Sequence, residues 1–533
     1  MGPTTLQAGL GTAGVWSVTD IPIRYLLFTP PDQYLRLVVT THKECPVHTN
    51  NSVLVHFIIE LRVWATDVTQ KKGLLALFLM NALPTLALYG GDPIHLGSQR
   101  ELFADRFLID SLSGDVEQKV KRPHPEEVIF RTDRPWEGNT SAYYTLFQDG
   151  SVFRMYYRGS HFDTNKQKPA HREVTCYAES KDGIHWVRPN LGMYSFEGSR
   201  NNNIVWDGTG THCFAPFLDT NPRCPKNARY KAISRGRPQA PRGLYQYQSP
   251  DGIRWTHISD KPIITQGAFD SQNIAFWDSR QEEYVCYSRS FKDGFRTIQR
   301  ATSKDFIQWT APVALKYGSA PRQHLYTNAI RQYDRAPHLY IGFPTRYLPE
   351  EKNRVEPLFM ISRDGLNFLR FNTPVIPEDA PADRGGNRSN YMTRGLLTLP
   401  DKPDEYSVYA TEAYYTGSDS RVRRFSYRVD GFVSLISGSR GGEFTTPALT
   451  FNGGQLLLNH ITSQNGDLRV EIQDPKGNAI EGWTLMDCDN TQGNHIEQPV
   501  TWRNGKTLRR LNTQTIRLRF VMQNAELFAM RFQ

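Results

Sequence analysis

From about residue 140 onward, the chain consists of short runs in which apolar and polar positions alternate. Turn-forming residues separate these runs. The first three are SAYYTLFQDG (Ser141 to Gly150), SVFRMYYRGS (Ser151 to Ser160) and EVTCYAES (Glu173 to Ser180). A period of two over such lengths predicts strands with at least one buried face. DGIHW then predicts a tight turn leading into a fourth strand. Gly tolerates positive φ there, and the Asp side chain bonds the backbone that follows.

The turn phrase recurs. SKDGIHW (Ser180 to Trp186) returns as SPDGIRW (Ser249 to Trp255), TSKDFIQW (Thr302 to Trp309), SRDGLNF (Ser362 to Phe368) and, more faintly, YRVDGF (Tyr427 to Phe432). Its aspartates, Asp182, Asp251, Asp305, Asp364 and Asp430, stand 54 to 69 residues apart. Such spacing predicts a repeat architecture in which each unit is one supersecondary element. A four-stranded meander per repeat is a propeller blade, with the Trp packed between neighbouring sheets. NNNIVWDG, RYKAISRG and GLYQYQSPDGIRW make a second unit, and SQNIAFWD, EYVCYSRS and TIQRATSKDFIQW a third. LYTNAI, PHLYIGFPTRY and LFMISRDGLNF make a fourth, and NYMTRGLLTL, EYSVYATEAYY and RRFSYRVDGF a fifth. After Gly441 the strands GGQLLLNH, DLRVEIQD, TIRLRFVM and AELFAMRF predict a β-sandwich. The expected fold is all-β: a five-bladed β-propeller over 131–436, then a C-terminal β-sandwich over 437–533, with 92–130 as a lead-in.

Composition narrows the function. The chain has 533 residues, 12% of them aromatic, and a formal charge of +9. No basic block carries interleaved aromatics, which argues against a nucleic-acid partner. The six cysteines (Cys45, Cys176, Cys213, Cys224, Cys286 and Cys488) show no zinc spacing. Cys213 and Cys224 are read either as a loop disulfide or as free thiols. KKGLLALFLMNALPTLALYG (Lys71 to Gly90) has the layout of a secretory signal peptide displaced into the chain. The expectation is that 68–91 is such a signal, with Val68 as the true initiator and 1–67 as translated upstream sequence. The alternative is an N-terminal domain and a membrane helix. On the first reading the protein is secreted or periplasmic, with no stable membrane insertion once the signal is removed. No cofactor is implied, and no EF-hand or P-loop pattern is present; a structural Ca²⁺ is left open without a motif for it. The sequence does not address the oligomeric state.

Five blades followed by a sandwich resemble the clan of five-bladed propeller glycoside hydrolases, including levanases, invertases and arabinanases. The phrases CYAESKDGIHWVRPNLG, NNNIVWDG, DTNP…RYKA and HLYTNAI…RAPHLYIGFPTR resemble uncharacterised secreted glycoside-hydrolase-like proteins of planctomycetes. The resemblance implies a poly- or oligosaccharide substrate. The WMNDPNG-type start, RDP box and EC box of the fructan-cleaving branch are absent, so no catalytic residue is carried over from that branch. In these families, and in sialidases with their SxDxGxTW turn, the repeated turn is structural and lies away from the pocket.

Propeller ligands sit at one mouth of the channel, near the starts of the first strands and the loops between second and third strands. Polar residues at those starts are Glu137, His212, Asp270, Gln272, Asn273, His324, Tyr326, Asn328, Arg388 and Asn390, with His161 and Asp163 in an overhanging loop. The second strands end with Arg158, Arg235, Arg289 and Arg346 in four units and Glu412 in the fifth. Guanidinium forks pair with carboxylate or sulfate, which points to an anionic glycan; the same arginines could instead bridge blades. Glycoside hydrolysis needs two carboxyl groups, and Asp270, Glu412 and Glu137 are the candidates. A polysaccharide lyase would use the arginines with His or Tyr. A non-catalytic glycan-binding propeller is the third reading.

Overall fold

The computed structural model describes residues 92–236, 240–377, 391–503 and 505–533. The expected signal segment and residues 1–67 lie outside these, as do Arg388 and Asn390. Among the described residues the regular elements are strands and four short 3-10 turns, and no helix is long and apolar enough to cross a membrane. The fold is all-β.

Five antiparallel sheets follow one another along the chain and fit a propeller. The first runs from its inner strand Ala142–Asp149 through Val152–Gly159 and Val174–Ser180 to Trp186–Val187. The second contains Ala215–Leu218, Tyr230–Arg235, Leu244–Ser249 and Thr256–His257, and the third Ile274–Asp278, Glu283–Lys292, Phe295–Ser303 and Val313–Ala314. The fourth contains Arg331–Tyr333, Ala336–Gly342, Met360–Ser362 and Phe368–Arg370. The fifth takes Leu397–Leu399, Lys402–Glu412 and Arg421–Arg428 from its own repeat and its outer strand, His124–Arg131, from the chain before the first sheet.

The repeated turn is what links these sheets. Asp182 Oδ1 accepts from the backbone of Ile184 and His185 (2.9 and 2.8 Å), and Trp186 Nε1 donates to the Gly183 carbonyl (3.1 Å). Asp251 and Asp305 do the same for Ile253, Arg254, Ile307 and Gln308. Gly183, Gly252 and Gly365 have φ of 74°, 76° and 72°, and Phe306, where the glycine is missing, keeps φ at 66°. The residue at that point also receives a bond from the preceding sheet. Tyr156 donates to the Gly252 carbonyl, Gln246 to Phe306, Tyr287 to Gly365 and Tyr409 to Gly183. In the fifth copy Tyr333 donates to the buried Asp430 carboxylate, which also holds Arg100 and Arg335.

Some expectations shift. NNNIVWDG does not open the second sheet: Ile204–Trp206 pairs with Val174–Ser180 of the first, and the inner strand is Ala215–Leu218. Asn202 and Asn203 fold that segment back, since Asn203 Nδ2 bonds the Tyr177 carbonyl (2.6 Å). HLYTNAI holds only the two-residue strand His324–Leu325, which pairs with Thr345–Leu348 in a separate small sheet. Residues 92–130, read as a lead-in, supply Glu101–Leu102 and Ser111–Val120 to the C-terminal sheet and nearly all of the strand His124–Arg131 that completes the fifth sheet. Ser111–Val120 is largely exposed, which is why its sequence shows no buried face.

The C-terminal sheet carries Val433–Thr445, Leu456–Gln473 and Arg517–Phe532 as long strands with register breaks at Ser437/Gly442 and Thr462/Asp467. Such breaks bend a strand. The strands pack on a core of Phe103, Phe444, Phe520, Trp483 and Trp502, the sandwich of the expected fold.

Candidate functional site

The propeller delivers its polar side chains from three kinds of position at one mouth of the channel. Inner-strand starts bring Tyr143, His212 and Asp270. Second strands bring Arg158, Arg235 and Arg289. The start of a third strand brings Glu173, which precedes Val174–Ser180. The backbone is tight here. Tyr143 has φ 59° where the first sheet's register breaks, and Ala413 and Tyr415 have φ 56° and 61°. Non-glycine residues in this region persist only where their surroundings hold them, and they cluster at functional sites.

His212 is the hub. Its 3-10 turn, Thr211–Cys213, points the ring between two carboxylates: Nδ1 lies 2.8 Å from Glu173 Oε2 and Nε2 lies 2.7 Å from Asp270 Oδ1. Both ring nitrogens facing carboxylates means both donate, so the ring is an imidazolium. Burial alone would lower its pKa; Cys213 and the Asp270 hydrogen bond act against that and push it up to about 10. Burial would raise the Asp270 carboxyl, but His212, Arg235 and Arg289 outweigh it and hold it well below the ordinary carboxylate range. Glu173 is lowered in the same way, against burial, by His212, Arg158 and Arg235. Arg158 Nη1 sits 3.2 and 3.3 Å from the two ring nitrogens. With both nitrogens donating, this is packing against the ring rather than a hydrogen bond. Arg158 is held instead by the Thr140 carbonyl (2.6 Å), the Tyr414 hydroxyl (2.9 Å) and the Tyr143 face.

A cavity of about 440 Å³ opens beside Asp270. Arg235, Arg242, Ala268, Phe269 and Arg289 complete its working wall. Arg235 Nη1 is 2.6 Å from Asp270 Oδ1, and that carboxylate is 53% exposed. Arg242 is held by the Gly267 carbonyl. Arg289 is buried, donates Nε to the Ala268 carbonyl (2.7 Å) and lies over the Tyr326 ring (4.9 Å). No described carboxylate pairs with it, and its Nη1 has no hydrogen-bond partner. Three guanidiniums against one carboxylate make the cavity cationic. Glu173, His212 and Asp270 form a line through the ring rather than converging. Among the described residues no cluster of His, Cys, Asp or Glu is arranged to hold a metal ion.

The other expected site residues are placed elsewhere. Glu137 is fully buried and held by Arg188 (2.8 and 3.0 Å) and the Tyr157 hydroxyl (2.5 Å); burial raises its carboxyl against these bonds. Glu412 is equally buried, with one oxygen on Arg421 Nε and the other on Arg423 Nε, both at 2.8 Å. Arg346 pairs with Glu356 (2.6 Å) across the small sheet. Gln272 spans the channel, donating to the Tyr143 and Tyr144 carbonyls (3.1 and 2.9 Å) and to Thr145. Asn273 and Asn328 bond backbone groups of their own turns and neighbours. His324 accepts from the Arg296 backbone, and burial and Arg296 lower its pKa. His161 accepts from the Asn139 backbone, and Asp163 caps its own loop at Asn165 and Lys166. Cys213 and Cys224 are free thiols. Glu173 is absent from the sequence-derived set although it ends the loop between the second and third strands of the first sheet, one of the positions expected at the mouth; in sequence it looks like the first residue of the strand EVTCYAES.

No family model matches the chain. A segment of 157 residues, 28% of the chain, is 25% identical to the uncharacterised proteins MT1551 and Rv1502 of two Mycobacterium tuberculosis strains. The match spans about half (46%) of those relatives. Among solved structures, similarity is found to a glycosyl hydrolase from Bacteroides ovatus (15% identity, 65% of this chain, 96% of that one, TM-score 0.38). It extends to a GH130 structure whose study describes hydrolases targeting β-1,2 mannosidic linkages in Candida mannan (14%, 65%, 96%, 0.37). A third is the catalytic domain of a Coprinopsis cinerea GH62 α-L-arabinofuranosidase (8%, 58%, 97%, 0.39).

Proposed function

We propose that this protein is an exported carbohydrate-active enzyme, a glycoside hydrolase acting on a glycan that carries carboxylate or sulfate groups. The observation that carries this is Arg289: a buried guanidinium at a sugar-sized cavity with no carboxylate of its own among the described residues. An anionic substituent would complete its fork and that of Arg235. Asp270 is the carboxylate that acts at the bond, because it is ionised and half-exposed in the same cavity. Glu173, reached through His212, fixes the orientation of the pair. Glu137 and Glu412 fall to a structural role on this reading, since their oxygens are already engaged. The five sheets are five blades around one channel, the expected 131–436 extended by the outer strand His124–Arg131, with 437–533 as the brace, and 68–91 is the export signal.

A lyase reading is favoured by one observation. With Glu137 and Glu412 enclosed, the cavity offers a single exposed carboxylate, whereas Arg289, a cation able to neutralise a uronate carboxylate, lies over the ring of Tyr326, a side chain able to transfer a proton in a β-elimination. Incubation with neutral, uronate-containing and sulfated polysaccharides separates the two. Products that have gained water, lost in Asp270→Asn, support hydrolysis. Unsaturated, ultraviolet-absorbing products that persist in Asp270→Asn and vanish in Tyr326→Phe replace it with the lyase. Saturable binding without product makes the protein a glycan-binding propeller.

A further inference from the structure

The channel has a second cavity, and it shares no residue with the first. It opens where the inner strands end, has a volume of about 500 Å³, and is walled by Phe217, Phe276 and Trp277 among others. Gln272 separates the two levels: it crosses to Tyr143–Thr145, and Arg394 lies one step beyond, bridged to Thr145.

Arg394 is the cation of this second cavity. Its backbone is fixed on both sides, N to the Tyr144 carbonyl (3.0 Å) and O from Leu146 N (2.7 Å). Its guanidinium reaches across to the carbonyls of Pro216 and Ala275, both at a long 3.3 Å, and lies 6.0 Å from the Phe276 ring. Nε is buried with no partner, and no described acidic side chain pairs with it. Arg331 is the other cation here, already forked onto Asp334 (2.8 and 2.6 Å) and bonded to the Leu396 carbonyl. Burial, then the nearby Arg331, depresses the Arg394 pKa to about 9. A guanidinium has five donors, and this one spends two on stretched bonds to carbonyls. An unpaired buried charge is costly and is normally compensated. The lining is mixed: Gln148, Gln332 and the Arg331-paired Asp334 stand on it, but Phe217, Phe276 and Trp277 form an aromatic wall that favours a ligand with an apolar body over a bare ion.

We propose that this second mouth is a separate ligand site for an organic anion with an apolar body, with Arg394 as its charge partner and Phe217, Phe276 and Trp277 as its walls. The inference does not depend on what the first cavity does.

Benzoate is the probe, with benzyl alcohol and sulfate beside it, titrated calorimetrically into the whole protein. Benzoate is expected to bind saturably and at least tenfold more tightly than benzyl alcohol. Arg394→Met, which keeps the length and removes the charge, is expected to weaken benzoate at least tenfold, whereas Arg289→Met in the first cavity leaves it unchanged. Should Arg394→Met not fold, Arg331→Gln at the more exposed rim is expected to weaken benzoate several-fold. Absence of saturable benzoate binding, retention of full affinity in Arg394→Met, or loss in Arg289→Met would overturn the proposal. Sulfate binding as tightly as benzoate would overturn the apolar part and leave Arg394 as a partner for bare anions, whereas no anion binding at all would make Arg394 a strut tying the sheets together through the Pro216 and Ala275 carbonyls.

Discussion

The outer turns and the first mouth use the same kinds of residue to opposite ends. At the turns, Asp182 and Asp251 each accept two backbone N–H groups, and the neighbouring sheet reaches the adjacent glycine carbonyl. At the mouth, Asp270 is half-exposed and Arg289 is buried without a carboxylate partner among the described residues. Buried polar groups that find partners within the chain hold a fold together, and those left without partners are where a ligand can supply them. Repetition of the turn along the sequence therefore marks structure here, and the mouth is marked by polar side chains whose partners among the described residues are incomplete, Arg289 above all.

The comparison can be broken most forcefully at the enclosed carboxylates. Glu137→Ala leaves Arg188 without its main partner in a buried pair, a change that costs about 3–5 kcal/mol. Denaturant unfolding should show that loss, while activity per folded molecule stays near that of the natural protein. At the turns, Gly252→Val places a side chain at φ 76° against the Tyr156 hydroxyl (2.6 Å) and Arg154 (2.9 Å). A destabilisation of about 2–4 kcal/mol is expected, read by chemical denaturation. At the mouth the effect should move from stability to binding. Arg235→Met is expected to weaken uronate oligosaccharides about tenfold with the melting temperature little changed.

The smallest effect is on pH dependence. The raised His212 pKa contributes stability that is fully present below its unfolded value of 6.5 and is lost as pH rises through about 10. The lowered Asp270 and Glu173 contribute stability that is present above their ordinary values of 3.8 and 4.5 and is lost as pH falls through their folded values. Melting temperature should therefore stay level only between roughly pH 5 and 6, decline as pH rises from about 6.5 towards 10, and decline again on the acid side. His212→Gln should flatten the alkaline side.

The strand pattern and the recurring Asp-Gly turn were legible because they rest on local rules of period and turn chemistry. Phe306 shows the rule holding without its glycine, at φ 66°. Ser111–Val120 and His124–Arg131 were not legible as parts of two sheets, because pairing between distant segments leaves no mark on an exposed, polar strand. At the site, Asp270, His212, Arg235 and Arg289 could be read from positions at the mouth. Glu137 and Glu412 looked equivalent to Asp270 in sequence, and what distinguishes them is enclosure by Arg188, Arg421 and Arg423. Such enclosure depends on neighbours more than fifty residues away for Glu137 and on the opposite strand for Glu412. Glu173 is marked only by its contact with His212, a residue 39 positions away that the sequence does not pair with it.

The central claim is that the cavity beside Asp270 takes an anionic sugar through Arg289. Its most direct test is calorimetric titration of a uronate oligosaccharide and its neutral, carboxyl-reduced counterpart into the natural protein and Arg289→Met. The account expects the acidic sugar to bind at least tenfold more tightly than the neutral one, and that preference to disappear in Arg289→Met. Equal affinity for the two sugars in the natural protein, or an undiminished preference in the variant, would contradict it.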